Sequence, residues 1–347
     1  MSSERYDVVV TGGGPGGSAV AAAVARAGHR VLLLERETLP HPRISGSLPP
    51  GTVRELCGQL GVADELAREL GQAGAVPPPE SMGPAAYDHY MERAAFDWLL
   101  LDALRKHGVD VRENCAAVNV MTENERVTGL RYRTAEGRGH TVLARYVVDA
   151  SGAGSRLRRH LGGTRSCAGR APDLAVHACF EGGGPLPAAP LIAGSARFWH
   201  VPLGDGLTCV GAVVGRELAD RVHRDPERAL LGLAEDCPPV REFLAAATRV
   251  RTGPYGQVQV RADWSYADSR FWKPGMVLVG DAACAADPPL ASGVELACHG
   301  GLLAARALND CLDHGTREEA AFAEFERRYR EAYFSRTSRA VGAASAA

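Results

Sequence analysis

Residues 6–18 read YDVVVTGGGPGGS, and this stretch decides the fold. Tyr6–Thr11 is a short apolar run rich in β-branched residues, the pattern of a strand buried on both faces. Gly12, Gly14 and Gly17 then spell G-x-G-x-x-G, and the Ala-rich segment Ser18–Ala27 predicts a helix that stops at Gly28. Val31–Leu34 predicts a second strand, closed by Glu35, 18 residues after Gly17. Strand, glycine turn, helix and strand make a βαβ unit, which implies a parallel sheet. Each glycine has its own task there. Gly12 permits the tight turn, Gly14 lets the backbone approach a pyrophosphate, and Gly17 lets helix and strand pack closely. The helix N-terminus faces the phosphates. An acid where Glu35 stands accepts a hydrogen bond from a ribose hydroxyl, which favours FAD or NAD over NADP.

FAD and NAD are separated far downstream. Val277-Leu278-Val279-Gly280-Asp281 is an apolar strand ending in Gly-Asp, followed by Asp287-Pro288 and by Ser292-Gly293 opening a helix. In a doubly wound sheet this strand end faces the same crevice as the first glycines. Asp281 there can bind ribityl hydroxyls, and the helix beginning at Ser292-Gly293 offers free N–H groups to a flavin edge or an anion. A second G-x-G-x-x-G is missing, so no dedicated site for a bound nicotinamide is predicted.

The rest of the chain fits this frame. With 347 residues, 46% hydrophobic and 23% charged, the composition is that of an ordinary globular protein. Disordered, fibrous and coiled-coil classes are excluded. A formal net charge of −2 gives no bulk reason to bind nucleic acid or an anionic membrane. No apolar run approaches the roughly 20 residues of a membrane span, and no signal peptide is read before the first strand. Nine scattered Cys without a C-x-x-C pair suggest neither a disulfide framework nor a metal site. A cytoplasmic protein is expected.

Helices are predicted at Met91–Lys106, Glu227–Ala234, Val240–Ala247, from near Val294, and at Arg317–Ser335, with a frayed tail from Ala340. Strands are predicted at Val109–Val120, Val127–Arg133, Val142–Asp149, Leu174–Phe180, Arg197–Pro202 and Leu207–Val214. The expected fold is α/β: a Rossmann-like FAD-binding domain with an inserted β-rich (α+β) substrate domain and a C-terminal helix. The FAD-binding domain would take residues 1–75, 93–165 and 255–347, and the substrate domain 76–92 and 166–254.

Several segments together resemble the flavin-dependent halogenases and related FAD monooxygenases, whose fold is like that of p-hydroxybenzoate hydroxylase. They are GGGPGGSAVAAAVARAGHRVLLLER, Pro42–Thr52, the R-x-x-F-D-x-x-L helix beginning at Arg93, VVDASGAGSRLRR, and WSYADSRFWKPGMVLVGDAACAADPPLASGVELA. The resemblance spans roughly residues 5–335. It places Gly12, Gly14, Gly17 and Glu35 on the ADP part of FAD, Arg43 near its phosphate side and Asp281 at the ribityl or pyrophosphate region. Ser292 and Gly293 would sit beside the isoalloxazine, and Pro15, Gly16, Arg36, Ser47, Val118 and Gly152 join the cofactor-binding set.

The chain also departs from that family. Halogenases use a Lys to carry or orient the electrophilic halogen, yet Lys106 and Lys273 are the only lysines in the sequence. Arg hardly deprotonates, so it cannot supply the neutral amine. The family's G-E-S reads Ser45-Gly46-Ser47, the first Trp of W-x-W-x-I-P is Arg197, the loop before Ser292 carries Leu290, and the C-terminal extension is reduced to one helix. All of these departures except Leu290, which is neutral, favour an FAD-dependent monooxygenase that hydroxylates an aromatic or carrier-bound specialised metabolite through a flavin C4a-hydroperoxide. A halogenase with an unusual relay, or a dehydrogenase or reductase of the geranylgeranyl-reductase type, is the alternative. FAD would be reduced by a partner flavin reductase or by NAD(P)H, with O2 as co-substrate. His200 is the candidate base or orienting group and Arg197 the candidate for a substrate carboxylate. On a strand Phe198 and His200 share one face, and Arg197, Trp199 and Val201 the other.

Overall fold

The computed structural model describes residues 4–40, 47–48, 52–64, 89–90, 93–166, 174–187, 191–204, 206–262, 265–286 and 293–345. The first half forms β1 (Glu4–Thr11), α1 (Pro15–Arg26), β2 (Val31–Leu34), β3 (Ser47–Leu48), α2 (Thr52–Gln59), β4 (His89–Tyr90), α3 (Arg93–Lys106), β5 (Asp110–Arg112), β6 (Cys115–Glu123), β7 (Arg126–Thr134) and β8 (Gly139–Asp149). Next come β9 (Arg165–Ser166), β10 (Leu174–Gly182), β11 (Leu191–Ala193), β12 (Ala196–Gly204) and β13 (Leu207–Val214). Three short helices follow: α4 (Ala219–Arg224), α5 (Pro226–Ala234) and α6 (Pro238–Ala246). The chain ends with β14 (Ala247–Arg249), β15 (Gln259–Ala262), β16 (Tyr266–Asp268), β17 (Trp272–Lys273), β18 (Met276–Leu278), β19 (Cys284–Ala285), α7 (Gly293–Asp313) and α8 (Glu318–Ser345).

The glycine turn sits in a sheet ordered β17-β18-β8-β1-β2-β5, parallel from β18 to β5 as expected, with β17 antiparallel at its edge and an antiparallel β6–β7 pair joined to β8. β1 runs parallel to β2 and β8, and β18 parallel to β8. Thr11 pairs with both Leu34 and Asp149, so three strand ends open at one level. Val8, Val9 and Val10 are fully buried and belong to the main hydrophobic core. On one face α1 lies against α7, and small residues set that distance. A Cβ on Gly301 would stand 2.5 Å from the Gly16 carbonyl oxygen, and one on Gly300 would enter the Tyr329 ring of α8. The C-terminal helices are thereby locked onto the glycine turn.

The second sheet is antiparallel, ordered β11-β12-β13-β10-β14, with β15 also paired to β10. Its Phe180, Phe198 and Val210 pack under Leu230 of α5 and Val240 and Phe243 of α6. The opposite face carries Trp199, Val201, Cys179 and Cys209. All described cysteines are free.

Some boundaries differ from expectation. The strand predicted at Val109–Val120 is two, β5 and β6, broken where Asn114 takes φ 56°. Asn short side chains tolerate that left-handed geometry. The turn at Glu123–Arg126 is a hairpin bend, with Asn124 at φ 45° and Glu125 at φ 66°. Helix α4 had no clear periodic signal. Helix α8 continues to Ser345 where a frayed tail was expected from Ala340. β15 extends the second sheet past residue 254, because Leu174–His177 of β10 has a free edge there.

Candidate flavin site

The glycine turn is shaped by contacts that side chains would forbid. Gly12 has φ 98°, and a Cβ there would lie 2.4 Å from the Ala150 carbonyl oxygen. A Cβ on Gly17 would lie 2.0 Å from the Gly12 carbonyl oxygen. Gly14 is different: its Cβ would meet only the Arg93 guanidinium, with Nη2 at 3.4 Å. The strand end and helix therefore need Gly12 and Gly17 for packing, while Gly14 leaves room in front of the α1 N-terminus. Pro15 opens α1 and needs no hydrogen-bonded N–H there. That open cradle at a helix N-terminus fits a pyrophosphate.

Glu35 lies across the same turn. It is 4% exposed, and its Oε2 accepts from the Gly13 N–H at 2.7 Å while Oε1 accepts from the Glu37 N–H at 3.0 Å. The carboxylate is thus fixed at the end of β2, where the ribose was expected. Arg36 turns to solvent and pairs with Glu37. Val118, in β6, is 43% exposed, an apolar surface suited to a planar ring. Gly152 adopts φ 84° just beyond Asp149.

Asp149 organises that loop. It is fully buried and accepts from the Ser151 N–H at 3.0 Å, the Ser151 hydroxyl at 2.6 Å and the Ser155 hydroxyl. Burial pushes its carboxyl up, opposed by the hydrogen bonds from Ser151 and Ser155. Arg165 ties this loop to the next. Its guanidinium donates to the Ala153 carbonyl at 3.1 Å, to the Ala282 carbonyl at 3.4 Å and to buried Asp268 at 3.3 Å. Asp281 lies on that second loop, where its carbonyl accepts from the Tyr266 hydroxyl at 2.7 Å. The Gly280 N–H donates to the Tyr329 hydroxyl at 3.1 Å. Gly293 is the first residue of α7.

Glycine turn, Glu35, Gly152 and Asp281 thus gather at the ends of β1, β2, β8 and β18. Ser47 lies on β3, opposite Tyr90. Arg43, Ser292 and Leu290 lie outside the described residues. Sequence reasoning missed Arg93, although its motif was noted. Arg93 is held by Asp97, Nε to Oδ1 at 2.7 Å, one helical turn away. Burial opposes the Arg93 charge, but Asp97 overcomes it, and Asp281 adds to that effect. A fixed cation beside the Gly14 cradle suits a pyrophosphate. The i, i+4 spacing of Arg93 and Asp97 was a signal that could have found it. Tyr329 carried no local signal at all.

The catalytic candidates separate. His200 shares the Phe198 face and borders Leu186, Leu191 and Val240, beneath the helical layer. Burial lowers its pKa. Facing α6, it is not the side chain this sheet turns away from its helices; Arg197 and Trp199 are on that other face. The reason is strand alternation: apolar Phe198 is needed under α5 and α6, and His200 follows it. On the Trp199 side stands a histidine not singled out from sequence, His177. It is 5% exposed, and its ring centroid is 5.4 Å from that of Trp199. Burial, and secondarily Arg261, lower its pKa to about 4. Lys106 pairs with Asp102 at 2.7 Å on the surface, and Lys273 lies in edge strand β17. Among the described residues no cluster suits a metal ion, and no helix is long and apolar enough to cross a membrane.

Residues 7–76 and 69–337 match the family described as tryptophan halogenase. The solved structure of the myxobacterial chondrochloren halogenase CndH, described as a new variant of FAD-dependent halogenases, is 42% identical, with a TM-score of 0.89 over 98% of this chain and 82% of that one. A flavin-dependent halogenase of Penicillium aethiopicum is 28% identical over 94% of this chain and 68% of its own. A 1H-pyrrole-2-carbonyl-[peptidyl-carrier protein] brominase of Pseudoalteromonas luteoviolacea is 27% identical over 89% of this chain and 79% of its own. With the glycine cradle and its loops in place, the chain belongs to the tryptophan halogenase family, flavin-dependent enzymes of the FAD oxidoreductase class.

Proposed function

We propose that the protein is a flavin-dependent halogenase that replaces a ring hydrogen of an electron-rich aromatic substrate, free or carrier-bound, by halogen. This puts first what the sequence reading held as an alternative to hydroxylation, beside a dehydrogenase or reductase. The observation that carries it is the 42% identity to a halogenase over 98% of the chain. Relatives acting on carrier-bound pyrrole support a carrier-bound substrate. When bound, reduced FAD would supply two of the four electrons that take O2 to water, the halide would supply the other two and so be oxidised, and a partner reductase or NAD(P)H would reduce the FAD again.

The protein's part is placement. Gly14, Gly16 and the α1 N-terminus would hold the pyrophosphate, with Arg93 as counter-charge and Glu35 on the ribose. Asp281 and Gly152 would flank the ribityl chain. Arg43 and Ser292 keep the roles assigned from their motifs. The second sheet would cover the ring system and exclude water, which protects a reactive oxidant.

The second reading is direct oxygen transfer to the ring. It is favoured by the lysine positions: one pairs with Asp102 on the surface and the other lies in β17. Incubation with FAD, a flavin reductase, NADH, O2 and bromide decides between them, using phenols, indoles and carrier-tethered pyrroles. The proposal expects products whose mass and isotope pattern show one bromine, absent without bromide. A product carrying labelled oxygen regardless of halide would overturn it in favour of hydroxylation. Substrate oxidation under anaerobic conditions would point instead to a dehydrogenase.

A further inference from the structure

We propose that His177 and Trp199 form a recognition point for a hydroxyl group on the aromatic substrate, a refinement that rests on the halogenase reading. Strand register aligns Trp199 opposite Gly211, and Gly211 opposite His177, in one row across β12, β13 and β10. Gly211 has no side chain, and the space is taken by the indole. A Cβ there would stand 2.4 Å from ring atom Cε2 of Trp199 and 2.8 Å from its Nε1. The indole therefore lies over Gly211, with Cε2, Cζ2 and Nε1 nearest to it, in the row that ends in His177.

Both nitrogens in that row lack a partner. His177 Nδ1 and Trp199 Nε1 are buried and make no hydrogen bond. Such groups cost stability unless something pairs them, and here they sit on rings whose centroids are 5.4 Å apart, within reach of one partner group. Their chemistry is complementary to one functional group. The indole N–H can only donate, while a neutral imidazole accepts at Nδ1 when its proton is on Nε2. Burial and the Arg261 charge keep His177 neutral near pH 7. One atom that accepts from the indole and donates to the imidazole is a hydroxyl oxygen. A phenol donating to His177 would also gain electron density on its ring, which an electrophilic halogen needs.

The face is the right one. The reverse of the sheet is sealed by α5 and α6. Arg261, in β15 on the His177 side, acts electrostatically on both His177 and Tyr266, whose hydroxyl holds the Asp281 carbonyl. Arg261 thus links the row electrostatically to the residue that holds the loop assigned to the flavin. β12 also runs beside β4, whose partner β3 packs near α7.

The test uses FAD-loaded protein, 4-ethylphenol and its methyl ether, with binding read by calorimetry and histidine ring nitrogens read by 15N NMR. The proposal expects the phenol to bind at least about ten-fold more tightly than the ether, a gap of about 1.4 kcal/mol. It expects the phenol, not the ether, to shift the His177 Nδ1 signal. His177→Phe and Trp199→Phe should each bring the two ligands to within about two-fold while FAD stays bound. Equal binding of phenol and ether, no phenol binding, an unmoved His177 signal, or variants that keep the preference would overturn it. So would bromide alone shifting His177 without any phenol preference, which marks an anion site. Binding is read without turnover, so the two proposals fail separately. Phenol preference without halogenated product refutes the halogenase reading; halogenation without phenol preference refutes this one.

Discussion

Replacing Gly14 by Ala should remove cofactor binding while leaving the fold intact, whereas Gly17→Ala should damage the fold itself. Gly14 sits at φ −74° and ψ −178°, extended backbone that alanine adopts without strain. Its new methyl would touch only the Arg93 guanidinium, at 3.4 Å. Stability should therefore change by less than about 0.5 kcal/mol. The same methyl occupies the space through which backbone N–H groups reach the pyrophosphate. Loss of two hydrogen bonds to a charged group, about 1.5–3 kcal/mol each, gives about 3–6 kcal/mol. At about 1.4 kcal/mol per decade, FAD Kd should rise by roughly two to four decades. At Gly17 the methyl would lie 2.0 Å from the Gly12 carbonyl oxygen and 3.1 Å from Ala150 Cβ, so helix and strand must part. Overpacking of this kind costs about 1–3 kcal/mol, and backbone on one side puts it at the upper end. Flavin fluorescence titration gives Kd, and urea denaturation of the apoprotein gives stability. Gly14→Ala binding FAD within about three-fold of the parent, or losing as much stability as Gly17→Ala, would refute the division of labour among the glycines.

Three further outcomes are expected. Tyr329→Phe leaves the buried Gly280 N–H without its 3.1 Å acceptor, so calorimetric unfolding should show a loss of about 1–3 kcal/mol. Asp268→Ala strands Arg158 and Arg165, which now contact it at 3.1 and 3.3 Å. Both arginines keep some solvent, so the loss in urea should be about 2–3 kcal/mol, below that of a fully buried pair, with weaker FAD binding because Arg165 bridges two loops of the site. His177 has its pKa depressed to about 4 from 6.5. Between those values the unfolded chain binds the proton and the folded chain does not, so stability is full above pH 6.5 and falls as pH drops toward 4, by about 3 kcal/mol. His177→Phe should flatten that part of the stability profile; an unchanged slope would show that His177 titrates normally.

Short-range sterics made much of the candidate cofactor site's geometry legible. Glycines at 12, 14 and 17 after a β-branched run allow few backbone paths, and Glu35 is fixed by the length of the intervening helix. Asp281 was readable because its strand end opens on the same crevice. Arg93 was less so: its motif was visible, but its place beside Gly14 depends on how α3 packs. The aromatic-facing side of the site was not legible. Alternation divides Phe198 and His200 from Arg197 and Trp199, yet it cannot say which set lies beneath helices. Packing of α5 and α6 onto Phe198 decided that, and carried His200 with it.

By itself, then, the sequence determined the βαβ nucleotide fold, the flavin class of cofactor and the family, because these depend on local backbone geometry and contiguous motifs. Only tertiary structure brought together Tyr329 with Gly280, Arg165 with the loops of Ala153 and Ala282, and Trp199 with Gly211 and His177. Tyr329 with Gly280, Arg165 with Ala282 and Trp199 with His177 join segments distant along the chain. Their meeting is set by strand register and helix packing, which no local pattern encodes.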